Sequence, residues 1–107
     1  MVNVGGLAYA MGTNSDTSAQ QAIFTPPANQ TFMVFYYSFS TDSRAATGTN
    51  TMSITNGTIT TTLASNINGS AEPISQSCKI YLDDTMTIQI YSSSYSCGLY
   101  ISLIRLS

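Results

Sequence analysis

The sequence contains no histidine, which removes the commonest general base and with it any Ser–His or Cys–His catalytic pair. It has two cysteines, Cys78 and Cys97, too few for the usual Cys/His sets that hold zinc. These absences predict no catalytic residues, no metal and no cofactor, so the chain is read as something other than an enzyme. Charge is scarce as well. The bases are Arg44, Lys79 and Arg105, and the acids are Asp16, Asp42, Glu72, Asp83 and Asp84. That is 7% of the chain, against about 25% in an average soluble domain. A net charge of −2 with no basic cluster offers nothing to a phosphate backbone, so no nucleic-acid partner is expected. A basic membrane-binding face is excluded on the same ground, and no run reaches the roughly 18 apolar residues of a membrane span. The first residues, MVNVGGLAYAMG, lack the basic and sustained apolar regions of a secretory signal. They predict a complete product made in a cytoplasm and not exported by the general pathway.

Serine and threonine fill the place of the missing ions, with 31 of the 107 residues, so hydroxyls and amides solvate the surface. Hydrophobic residues make up 43% of the chain and fall in alternating runs, which excludes disorder. Strand-forming Thr, Tyr and Ile are abundant, while the helix formers Lys, Glu and Arg are rare. A length of 107 residues suits a single domain over 1–107. A domain this small buries a modest share of its surface and is often supported by oligomerisation.

Alternation and turn residues divide the chain into about eight short strands. They are expected at 2–11, 21–25, 31–39, 51–55, 58–64, 77–82, 85–91 and 97–106. Pro26-Pro27 stops the second, because proline cannot donate to a ladder. Asn56-Gly57 joins the fourth and fifth as a hairpin signal. Asp83-Asp84 lies where a turn is needed and reads as one, not as a carboxylate pair. Many short strands with regular turns predict an all-β sandwich or barrel.

Two strands break the usual rule that an outer face is polar. In 33–39, Met33, Phe35, Tyr37 and Phe39 alternate on one face and Val34 and Tyr36 on the other. In 99–106, Leu99, Ile101 and Leu103 share one face, and Tyr100, Ile104 and Leu106 the other. Something must cover the second face, and a further copy of the chain is the natural candidate.

The pattern resembles the tumour-necrosis-factor-like jelly roll, the fold of the complement globular heads. The residues that carry it are Ile23-Phe24-Thr25-Pro26-Pro27-Ala28-Asn29-Gln30-Thr31-Phe32-Met33-Val34-Phe35, the stretch from Cys78 through Asp83-Asp84 to Tyr91, and Gly98-Leu99-Tyr100-Ile101-Ser102-Leu103. The family usually has Gly-Asp where this chain has Asp83-Asp84, and more chain before the Pro-containing turn. The resemblance implies a two-sheet antiparallel jelly-roll sandwich and a homotrimer about a threefold axis. On that basis Val34, Tyr36, Tyr100 and Ile104 are expected at the trimer interface. Similar small jelly rolls recur in phage head-decoration proteins, head fibres and fibre tips. The implied role is therefore a capsid decoration (cement) protein of a virus particle. It would be made in the host cytoplasm, carried on the capsid surface, and partnered by itself and by the major capsid protein or another virion protein. The loops 12–19, 40–50 and 65–73 and the N-terminal strand are the expected attachment surfaces. The alternative is a receptor- or glycan-binding tip of a head or tail fibre. Tyr91 and Tyr95, which flank Ser92-Ser93-Ser94, are the candidate glycan contacts, although most tyrosines of the chain suit a core or an interface better. Cys78 and Cys97 could form a disulfide or remain free; the fold puts their strands in one sheet but not side by side, which favours free thiols.

Overall fold

The computed structural model describes residues 3–42, 49–66 and 73–107. Eight strands build it: β1 (Leu7–Asn14), β2 (Gln21–Phe24), β3 (Phe32–Thr41), β4 (Asn50–Thr55), β5 (Thr60–Asn66), β6 (Ile74–Leu82), β7 (Thr87–Ser92) and β8 (Cys97–Arg105). They form two antiparallel four-stranded sheets, ordered β1-β8-β3-β6 and β2-β7-β4-β5. The first and last strands are neighbours, and each later pair nests inside the one before. This is the wrapping of a jelly roll, and it agrees with the expected all-β class.

Local chemistry sets the turns. Asn29 adopts the left-handed conformation (φ 64°) in the turn closed by the Gln30 N–H on the Pro27 carbonyl. Asn tolerates that conformation better than other non-glycine residues. The Asp84 carboxylate accepts the Asn29 N–H at 2.8 Å, tying this turn to the next one along the same end. Asp83 Oδ1 accepts both the N–H and the hydroxyl of Thr85, and these bonds hold its carboxyl below the ordinary 3.8. Asp83-Asp84 is thus a turn, as its sequence suggests. The β4–β5 connection is a four-residue loop. Asn56 Oδ1 accepts the N–H groups of Thr58 and Ile59, and Gly57 takes φ 91°. That loop delays the start of β5 from the expected residue 58 to Thr60.

The core lies between the sheets. Phe32, Val34, Tyr37, Phe39, Leu99, Ile101 and Leu103 come from one sheet, and Met52, Ala64, Ile88 and Ile90 from the other. Asn14 is buried among them at the end of β1. Its Nδ2 donates to the Ala19 and Ile90 carbonyls, both at 2.9 Å, and its Oδ1 accepts the Asp16 N–H at 2.9 Å. One side chain thereby fastens β1, the β1–β2 loop and the facing sheet. Asn14→Ala is expected to leave these groups without their partner and to cost about 2–3 kcal/mol. A lower urea midpoint with an unchanged slope checks it.

Candidate assembly surface

The two sheets differ in what they turn outward. The β2-β7-β4-β5 sheet presents Thr51, Thr55, Thr62, Thr87 and Gln89, a surface of hydroxyls and amides. This is the ordinary solvated face of an antiparallel sheet. The β1-β8-β3-β6 sheet does the reverse. Leu7, Tyr9 and Met11 of β1 are 73%, 66% and 67% exposed, and Tyr81 of β6 is 61% exposed. Tyr100 and Ile104 of β8, with Met33, Phe35 and Tyr36 of β3, fill the space between these flanks. The apolar face therefore runs across all four strands. At about 25 cal/mol per Å² of apolar area, covering it is worth several kcal/mol. Exposed apolar patches of this kind mark contact surfaces.

Three tyrosines organise its centre. Tyr9 and Tyr100 stack with ring centroids 6.0 Å apart, and Tyr36 meets Tyr100 edge-on at 6.4 Å. The Ser102 hydroxyl donates to the Tyr100 oxygen at 3.3 Å. These rings come from three adjacent strands, β1, β8 and β3, so sheet formation itself assembles the group.

Of the four residues expected at a trimer interface, Tyr36, Tyr100 and Ile104 lie on this face. Val34 does not. It is 0% exposed and belongs to the core between the sheets. The cause is a β-bulge in β3 between Val34 and Tyr36, seen as a register shift against β8; against β6 the register shifts the other way, with the extra residue in β6 between Ser77 and Ile80. The extra residue reverses the alternation. Phe32 and Val34 point inward before it, and Tyr37 and Phe39 point inward after it. The expected grouping of Met33 and Phe35 with Tyr37 and Phe39 fails for the same reason. Simple alternation also overlooks Leu7, Tyr9 and Met11. Their neighbours Ala8, Ala10 and Gly12 face inward, so β1 alternates large and small, not apolar and polar. An added Cβ at Gly12 would stand 2.9 Å from Ile23 Cδ1, which shows how close β2 lies there.

The other candidates have modest settings. Tyr91 sits on the outer face of the hydroxyl-rich sheet, and its hydroxyl donates to the Thr17 carbonyl at 2.9 Å. Tyr95 lies in the β7–β8 loop, exposed, with its N–H on the Ser92 hydroxyl. Both belong to the end of the sandwich that carries the β1–β2 loop. Residues 43–48 and 67–72 of the expected loops lie outside the described residues. Both cysteines are free. β3 separates their strands, and burial pushes the Cys97 thiol up to about 11 and raises that of Cys78. Thiols so shifted are poor nucleophiles at neutral pH.

No family model matches the chain, and no curated protein matches it. Among solved structures, it is similar to a pentameric capsid protein isolated from metagenomic phage sequences, with a TM-score of 0.50 and 19% identity. The match covers 88% of this chain and 59% of that one, so the chain spans less than two thirds of the capsid protein's length. The likeness is one of fold.

Proposed function

We propose that this protein is a structural component of a phage particle, a decoration (cement) protein that self-associates through the outer face of the β1-β8-β3-β6 sheet. The carrying observation is the contrast between the two sheets, one clothed in hydroxyls and one in exposed Leu, Met and Tyr. A protein that uses the second face on its own copies keeps the first for solvent. The reading has this chain made in the host cytoplasm and added to the capsid surface, with the major capsid protein as its further partner. It has no catalytic, nucleic-acid or membrane role. The tumour-necrosis-factor-like pattern of the sequence supports a homotrimer. The similar capsid protein is described as pentameric, which supports assembly as a closed ring of a different order. Either ring is built from heterologous contacts that close by rotation. Few charges suit such contacts, since salt screens ions and not apolar burial. Multiple weak contacts from one ring then add by avidity.

The functional test compares particles with and without this protein. Its removal is expected to lower the thermal and osmotic tolerance of the shell and to leave adsorption to the host intact. Unchanged tolerance with lost adsorption overturns the cement role in favour of a receptor- or glycan-binding one.

A further inference from the structure

The two sheets have four edge strands, and three of them carry features that discourage pairing with another chain. β6 bears Lys79. β2 is four residues long, bulged, and followed by Pro26-Pro27. β5 carries an extra residue where its register with β4 shifts between Met52 and Ser53. Charge, shortness, proline and bulges are the usual protections of an edge. β1 has none of them. Its eight residues pair with β8 in unbroken register, and they include no charge and no proline.

The hydrogen-bonding parity of this edge follows from its first rung. The Arg105 N–H donates to the Gly6 carbonyl, so Ala8, Ala10, Gly12 and Asn14 bond to β8. Leu7, Tyr9, Met11 and Thr13 therefore direct their N–H and C=O groups away from β8, along the free edge. Beside that edge the sheets do not close. Ala8 is small, and β2 ends at Phe24, which lines the same gap. A groove of about 420 Å³ remains, lined by Ala8, Tyr9, Phe24, Pro27, Gln30, Phe32 and Leu103.

The geometry points to β1 as a strand-addition site that takes an extended, uncharged segment of another virion protein, with bulky apolar residues at alternate positions. The backbone of such a segment continues the ladder, and its inward side chains enter the groove. A second copy of β1 fits poorly. Its inward residues would be Ala8, Ala10 and Gly12, too small to fill the space, and the other apolar runs of the chain are already paired within its own sheets. The inference deepens the structural role proposed above by naming how the chain grips its partner. Its test uses no particles, so its failure leaves the face-mediated assembly untouched.

The probe is a capped peptide, Thr-Val-Thr-Phe-Thr-Val-Thr with a Lys-Lys tail, added to the whole protein. The readout is amide hydrogen exchange by nuclear magnetic resonance. At ten times its dissociation constant the peptide is expected to slow exchange about tenfold at Leu7, Tyr9, Met11 and Thr13, with the amides facing β8 unchanged. Ala8→Leu, which fills the groove from within, is expected to abolish this protection, as is Met11→Pro, which removes one outward donor. Three results overturn the inference. One is no protection at saturating peptide. Another is equal protection by a peptide of the same composition with its apolar residues in one block. The third is protection of the same four amides that rises with protein concentration alone, which makes a second copy the occupant.

Discussion

Tyr100→Asp is expected to convert the assembled protein into monomers that keep a β-rich circular dichroism spectrum. Tyr100 sits on β8, inside the sheet, with Tyr9 stacked on one side and Tyr36 edge-on at the other. In a single chain it is 37% exposed, so a carboxylate there reaches water and the fold tolerates it. Covered by a neighbouring copy, the same carboxylate is buried without a partner, which costs several kcal/mol at each contact. A closed ring repeats that cost at every interface. Tyr36→Asp is expected to act in the same way. Val34→Asp provides the contrast, because it places a charge in the core and is expected to unfold the chain. If both tyrosine variants remain assembled, the face has been wrongly chosen.

The largest effect on folding is expected at the centre of the sandwich. Ile101 is fully buried on β8, between β1 and β3, and faces the second sheet. Ile101→Ala removes methyl and methylene groups that the close-packed neighbours cannot replace. The expected loss is about 2–5 kcal/mol, transfer and cavity terms together. For a chain of this length that corresponds to a melting temperature lower by roughly 10–25 °C. A shift of only a few degrees would mean that the neighbouring side chains collapse into the space. Calorimetry on the Tyr100→Asp background separates this loss from any change in assembly.

The strands were legible because their alternation is driven by burial on one side. Met52, Ile54, Ile88 and Ile90 face the core with the polar Ser53 and Gln89 between them, and such runs announce themselves. The last strand follows its alternation on both faces, with Leu99, Ile101 and Leu103 inward and Tyr100 and Ile104 outward. Val34 departs from alternation, because a one-residue bulge leaves no mark in a run where every residue is apolar or aromatic. Phe35 could join either face by composition, and only the partner strands reveal the shift. β1 posed a different difficulty. Its inward positions are Ala and Gly, which periodicity scores as weak, while its large residues look like a core stripe turned the wrong way. The signal that would have found the full surface is that inversion: Leu7, Tyr9 and Met11 alternate with the smallest residues available. Tyr81 carries no signal for a simpler reason, since a tyrosine next to the buried Leu82 is ordinary in a strand.

Self-association through the β1-β8-β3-β6 face is most directly tested by the mass of the purified protein in solution, measured by multi-angle light scattering at micromolar concentration without any capsid present. The trimeric reading predicts a species of three times the 11.4 kDa chain mass, reduced to one chain mass by Tyr100→Asp. A value of five chain masses would keep the face and change the ring. A wild-type monomer of 11.4 kDa would contradict self-association through this face altogether.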